Sequence, residues 1–255
     1  MPGPVTASML VDGPVRGACG ESVLRCAGTL DGTSYVTLRD YVIDAALEEP
    51  RAVIVDVSAL DVPATTAWSA ITSAHWHVHT WPNVPLMLVC PDSAVRDALR
   101  GKGITRQVRV YRSLEEARRA CVAQRRPRRQ RACTRLPATV LSAARARRLV
   151  HRWLTAWSCP AMISAAATVA SELVENTLLH TNSAPRLTIE YDGELVAVAV
   201  EDTSRERAQR REDATHGTNP VSGLAVVAAL SRSWGCTPKR TGKTVWAVFG
   251  PENAL

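Results

Sequence analysis

Apolar and polar positions along the first half of this chain alternate between two periods. Residues 22–28 and 85–90 are short, nearly continuous apolar runs, and residues 51–57 add a β-branched run, Val53-Ile54-Val55. Such runs predict strands buried on both faces. A last strand is expected at residues 108–111. Between them, residues 38–47, 64–79 and 94–100 carry apolar residues at helical spacing. Ser113-Leu114-Glu115-Glu116 has the Ser-x-x-Glu spacing that opens a helix. The predicted order, ββαβαβα(β)α from about residue 5 to 122, implies a mixed sheet with helices packed on it.

The second half has a different rhythm. Leu136-Pro137-Ala138-Thr139 predicts the start of a helix running to about Trp157, and Cys159-Pro160 breaks it. Apolar or small residues then recur at Ile163, Ala166, Ala167, Ala170, Leu173, Val174, Thr177 and Leu178, one face of an amphipathic helix. Glu172 and Asn176, four residues apart, share a stripe beside that face. A carboxylate and an amide bordering a core are costly unless something binds them. A metal-bound nucleotide is one such partner, and a plain solvated helix edge is the other reading. Strands follow at residues 186–191 and 195–200, joined by the hairpin signal Asp192-Gly193. The second ends in Glu201-Asp202-Thr203-Ser204. Residues 205–219 are charged and poor in large apolar side chains, which predicts a long loop. A helix is expected from Val221 to Ser233, with Ser222-Gly223-Leu224 at its start and Trp234-Gly235 as its stop. A final hairpin, from Cys236 to Phe249, contains Gly242-Lys243-Thr244.

Length and charge divide the chain the same way. At 255 residues it can hold two ordinary domains. The formal charge of +7 is not spread evenly: residues 100–152 hold 17 Lys/Arg against two acids, leaving 14 bases and 22 acids elsewhere. The basic band centres on Arg125-Arg126-Pro127-Arg128-Arg129-Gln130-Arg131, with no aromatic or glycine interleaved. Its simplest reading is a solvated linker at residues 124–135; an acidic partner surface or RNA contact is the sharper one. Nucleic acid is disfavoured because the rest of the chain is acidic. Seven cysteines without C-x-x-C spacing suggest neither a disulfide framework nor a thiolate zinc site. There is no signal-peptide pattern and no apolar run of membrane-spanning length, so a cytoplasmic protein without membrane contact is expected. His75, His77 and His79 lack an accompanying carboxylate and read as surface histidines.

Three sequence features of the first half resemble the STAS domain, the fold of anti-sigma-factor antagonists. They are Gly28-Thr29-Leu30-Asp31, Asp56-Val57-Ser58-Ala59-Leu60 and Ser113-Leu114-Glu115-Glu116-Ala117, and the resemblance covers residues 7–123. It implies a regulated phosphoacceptor in an Asp-Ser-Ser/Thr-Gly turn. Here that turn reads Ala64-Thr65-Thr66-Ala67, so Thr65 falls on the acceptor position with Thr66 beside it, and Ala replaces both Asp and Gly. The alternative is that Thr65 is merely a helix-start hydroxyl.

The Gly242-Lys243-Thr244 triplet is not a Walker A loop. The motif needs a glycine where Thr237 stands and a helix where Val245-Trp246-Ala247-Val248-Phe249 reads as strand. Instead, the order of Glu-x-x-x-Asn helix, hairpin ending in Asp-x-Ser, polar lid, Ser-Gly-Leu helix and Gly-x-Thr strand resembles the GHKL (histidine-kinase-like ATPase) α/β sandwich. More narrowly it is similar to the anti-sigma-factor serine kinases, over residues 136–251. The resemblance implies ATP and Mg²⁺ as ligands. Asn176 would hold the Mg²⁺, Glu172 would be the catalytic base, and Asp202 would accept from the adenine amino group. Ser204, Gly223, Leu224, Gly242 and Thr244 would complete the ATP site, with Thr244 lining the adenine pocket. Val221 stands in place of the family's first lid glycine, and Ser204 in place of a glycine of the wider fold.

Together these imply an α/β chain of two domains that regulates sigma-factor activity by partner switching. Its partners would be sigma factors, anti-sigma factors or antagonists, with a homodimer as a further option. The enzyme reading is a serine/threonine kinase acting on another antagonist or on Thr65 or Thr66 of the same chain. The alternative is a catalytically inactive binding module.

Overall fold

A computed structural model describes residues 9–124, 129–181, 183–204 and 223–254. Arg125, Arg126 and Arg128 of the basic band, the expected lid at 205–219, and Val221 and Ser222 lie outside them. The chain forms two compact units, Met1–Arg126 and Pro127–Leu255.

The first unit is built on a five-stranded sheet in sequence order: β1 (Leu10–Arg16), β2 (Ser22–Thr29), β3 (Val53–Asp61), β4 (Leu86–Val89) and β5 (Arg109–Tyr111). β1 runs antiparallel to β2, and the other pairs are parallel. The parallel connections carry helices α1 (Tyr35–Leu47), α2 (Ser69–Val78) and α3 (Ser93–Gly101), and α4 (Leu114–Ala123) follows β5. Ala117 and Cys121 of α4 pack with Val23, Ile54, Met87 and Val89 on one sheet face. Alternate residues Leu24, Val53, Val55 and Leu88 are buried too and point to the other face. α1, which lies against β2 and β3, brings buried Leu38, Val42 and Ile43. Two caps are in place, of which the sequence predicts the one at Ser113. Asp92 accepts from the Ala94 amide at 2.7 Å at the start of α3, and Ser113 from that of Glu116 at 3.2 Å. The Glu116 carboxylate reaches back to the amide of Arg112 rather than that of Ser113.

The second unit is a fully antiparallel sheet of five strands: β6 (Gln130–Arg135), β7 (Arg186–Tyr191), β8 (Val196–Asp202), β9 (Ser233–Lys239) and β10 (Gly242–Phe249). Their order in the sheet is β6-β7-β8-β10-β9. Helices α5 (Ser142–Ala156), α6 (Ile163–His180) and α7 (Gly223–Leu230) cover one face. α6 is the central one: Ala166, Val169, Ala170, Leu173 and Val174 pack among Val198, Val200, Val245 and Phe249. None of the described helices is long and apolar enough to cross a membrane.

Three boundaries differ from the sequence expectation. Residues 130–135 are not linker but strand β6, because Arg131 sits opposite Glu190 of β7 and balances its buried carboxylate at 3.4 Å. The helix expected from Leu136 begins at Ser142. Pro137 removes a backbone donor, and its carbonyl is taken by the Ser142 hydroxyl at 2.6 Å. The helix expected to run to Ser233 ends at Leu230, and Trp234-Gly235 belongs to β9. There Gly235 leaves room for the Trp246 ring, which a Cβ would strike.

Candidate functional site

The strongest convergence of predicted site residues lies in the second unit, where α6 faces the start of α7. Glu172 and Asn176, one turn apart on α6, are both half-buried, while Ser171, Leu173, Val174 and Thr177 go into the core. Helical geometry therefore holds the two polar side chains on one stripe at the margin of the apolar face. Gly223, the first residue of α7, comes against this stripe. A Cβ added there would lie 2.6 Å from Glu172 Oε2. Glycine at this position is thus a matter of close approach to a carboxylate. Leu224 anchors the same end of α7 in the core and is 4% exposed. The Glu172 carboxyl is pushed up from its ordinary range, first by loss of water and then by Glu175; Arg147 pulls it partly back.

The end of β8 supplies the second part. Asp202 is buried, and its Oδ1 accepts from the Ser204 amide at 2.8 Å and from Lys243 Nζ at 3.0 Å. Both contacts fall on one oxygen, so Oδ2 keeps its accepting capacity among the described residues. Gly242 opens β10 directly beside this corner, and a Cβ there would overlap the carbonyl oxygen of Asp202.

Thr244 is not where sequence reading puts it. The register pairs Lys243 with Asp202 and Thr244 with Glu201. Directly opposed residues share a face and successive residues alternate. Lys243 therefore stands beside Asp202 on the helix-covered face, while Thr244 points to the other with Glu201. On that other face, Glu201 meets Lys239 at 2.8 Å and Arg186 at 3.8 Å, and Glu190 meets Arg131 at 3.4 Å and Arg129 at 3.8 Å. Sequence reasoning missed Lys243. The signal was the Gly-Lys-Thr triplet itself, read as glycine and threonine with an indifferent middle residue.

The donor set suits a magnesium nucleotide at its phosphate end. An amide oxygen on Asn176 is a hard ligand of the kind Mg²⁺ takes beside phosphate oxygens. At the base end, Asp202 Oδ2 has the acceptor character that an exocyclic amino group needs.

The other predicted residues belong to the first unit. Thr65 and Thr66 lie on a 3-10 turn, Thr65–Trp68, that joins β3 to α2. Both are exposed. The residue at the cap position is Ala64, which has no side-chain acceptor, so neither threonine caps the helix. Trp68, 2% exposed, pins the end of the turn to the core. Asp31 sits in the loop after β2 and accepts from the Thr33 and Ser34 amides at 2.8 and 3.0 Å. The Thr33 hydroxyl and these amides hold its carboxyl down at about 2. Leu30 N bonds the Asp61 carbonyl at 2.9 Å, so this loop and the one that leads to Thr65 leave the sheet at the same end of the parallel strands. The imidazoles of His75 and His79 are 5.6 Å apart. No cluster of His, Cys, Asp or Glu able to hold a metal occurs among the described residues.

Comparison with known proteins agrees with the first unit. Residues 14–117 match the family model described as the STAS domain. No curated protein matches the chain. Among solved structures, an anti-sigma factor antagonist from Mycobacterium paratuberculosis is 17% identical. The match covers 46% of this chain and 94% of that one, with a TM-score of 0.37. The RsbU and RsbW domains of a Mycobacterium tuberculosis protein are 20% identical over 48% of this chain, with a TM-score of 0.37. That match spans only 32% of the mycobacterial chain. The anti-sigma factor antagonist SpoIIAA, in its unphosphorylated form, is 15% identical over 46% of this chain and 99% of its own, with a TM-score of 0.36.

Proposed function

We propose that this chain is a partner-switching regulator of sigma-factor activity. Its STAS domain would serve as the antagonist-like docking part, and its second unit as a GHKL-type, ATP-binding domain of the anti-sigma-factor serine kinase kind. The observation that carries the second half is the approach of Gly223 to the Glu172 carboxylate. It sets the first residue of α7 against the α6 stripe that also bears Asn176.

In this reading Asn176 would hold Mg²⁺; Mg-ATP, when bound, would supply the transferable γ-phosphoryl group, and the cation would offset its charge. The residues of the chain do the positioning. Glu172 orients an incoming Ser or Thr hydroxyl and takes its proton. Its raised pKa brings it nearer the working pH, where a general base is most effective. Asp202 would accept from the adenine amino group, its carboxylate fixed through Oδ1 by Ser204 and Lys243. Gly223 brings α7 close to Glu172, where a Cβ would press on the carboxylate. Gly242 lets β10 close on Asp202. Thr244, on the opposite face, takes no part.

The test is calorimetric titration of Mg-ATP into the wild-type protein and into Asn176→Ala. The expected result is saturable binding to the wild type, weakened at least about tenfold by the substitution, as loss of a ligand to a charged group implies. Absence of heat from the wild type would rule out the nucleotide site.

A second reading has its own support. Ala64 and Ala67 replace the acceptor motif's flanking residues, and Asp202 already carries a buried ion pair. On that view both units are protein-binding modules without chemistry. Tight binding of a sigma or anti-sigma partner by a chain that ignores Mg-ATP would favour it.

A further inference from the structure

The base end of the site in the second unit holds a cation that so far has served only as a brace. Lys243 of β10 stands directly across from Asp202 of β8, with its Nζ 3.0 Å from Asp202 Oδ1. Both residues are deeply recessed, Lys243 at 5% exposed and Asp202 at 3%. Two residues further along each strand, Val245 and Val200 lie in the helix-covered core, so the pair faces the same way.

A charge buried to this extent is normally paired on every side. Lys243 is not. An ammonium carries three N–H donors, and Asp202 Oδ1 is its one hydrogen-bond partner among the described residues. That oxygen is already shared with the Ser204 amide. The side chains of Val245 and Val200, the next on this face, cannot accept a hydrogen bond. A half-satisfied buried charge is costly, and a polar group that arrives to complete it removes the cost.

The pair also has a pattern. Its donor and its acceptor stand side by side, and the Watson–Crick edge of adenine offers the complement at adjacent positions, an amino donor on C6 and an acceptor at N1. Bases held in protein pockets are read along that edge. We propose that Lys243 is a specificity-determining residue of the nucleotide site, donating to adenine N1 while Asp202 accepts from the C6 amino group. This rests on the Mg-ATP reading and adds to it a contact that Asp202 alone does not give. A lone carboxylate accepts an N–H from either kind of purine. With Lys243 beside it, a 6-oxopurine in the same orientation sets its carbonyl against the carboxylate and its N1–H against the ammonium, a repulsive match.

Calorimetry on the full chain tests this with three magnesium-bound triphosphates. They are ATP, 1-deaza-ATP, in which a C–H replaces N1, and purine riboside triphosphate, which keeps N1 and lacks the amino group. The variants are Lys243→Met and Asp202→Asn/Lys243→Met, the second of which removes both buried charges and orphans neither. Wild type should bind ATP at least about tenfold more tightly than either analogue, as loss of a hydrogen bond to a charged group implies. In Lys243→Met, ATP and 1-deaza-ATP should bind equally, while purine riboside triphosphate stays weaker than both. If circular dichroism shows Lys243→Met to be unfolded, the same equality of ATP and 1-deaza-ATP is expected in the double variant. Equal binding of ATP and 1-deaza-ATP by wild type overturns the assignment and leaves the Mg-ATP site standing. A preference for ATP over 1-deaza-ATP that persists undiminished without Lys243 overturns it too, since the donor to N1 then lies elsewhere. Absence of heat from ATP with wild type removes the nucleotide site and this contact together.

Discussion

At the scale of single residues, Glu21 shows how a buried charge becomes a pH-dependent brace. It is fully buried, with its carboxylate 2.7 Å from Arg118 Nε and 3.0 Å from the Cys19 amide. Burial alone would raise its pKa; its own backbone N–H, Arg118 and Cys19 together outweigh this and leave it lowered. A carboxyl held below its unfolded value adds stability above that unfolded value and loses it as pH falls through the folded one. Arg118→Gln should therefore destabilise the first unit at neutral pH by about 1–3 kcal/mol, the range for orphaning a buried acceptor. The deficit relative to wild type should shrink as pH drops below about 4. Denaturant melts of both proteins across that interval measure it, and a deficit independent of pH would contradict the brace. The same scale explains one misplaced site residue. A Gly-x-Thr triplet says which residues are present but not the register of the hairpin that holds them, and a one-residue offset moves every side chain to the other face. Asp202 thereby meets Lys243 instead of Thr244.

At the scale of elements, what was legible depended on whether a segment's own period was strong. α6 could be read in outline because its apolar stripe recurs for 18 residues, and β3 because its first residues are β-branched. β6 could not. Its sequence, Gln-Arg-Ala-Cys-Thr-Arg, reads as a charge run, and its pairing along the whole of β7, with Arg131 opposite Glu190, makes it a strand. β1 was implied by the element order but not located. It is an edge strand with Gly13-Pro14 in its middle and a register shift between Asp12 and Val15, the position where proline is tolerated. The start of α7 is where element and site meet. Alanine is intrinsically the better helix former, by about 1 kcal/mol, so Gly223→Ala should leave thermal stability nearly unchanged or slightly raised. Its Cβ would nonetheless press on Glu172 Oε2. Mg-ATP affinity should then fall about tenfold or more, since the flexible Glu172 carboxylate yields at little cost to the fold but is displaced from the α6 stripe it shares with Asn176. Unaltered affinity in a stably folded Gly223→Ala protein would mean that α7 does not close on the nucleotide.

At the scale of the whole molecule, the consequence turns on one chain carrying both a candidate acceptor and a candidate kinase. Thr65 and Thr66 are exposed hydroxyls that no cap consumes. Glu172 belongs to the other unit, and only residues 125–128 separate the described parts of the two units. Carriage of both groups on one chain makes an encounter intramolecular, with an effective concentration in the millimolar range wherever the geometry allows contact. If the acceptor is in cis, transfer from labelled Mg-ATP should be first order, with a rate that does not change on tenfold dilution of the protein. It should vanish in Thr65→Ala/Thr66→Ala and fall by about a hundredfold or more in Glu172→Gln, the range for losing a general base. A rate proportional to protein concentration would make the acceptor a second chain. Label that persists in the double alanine variant would remove both threonines from the reaction, and the STAS domain would then act as a docking surface alone.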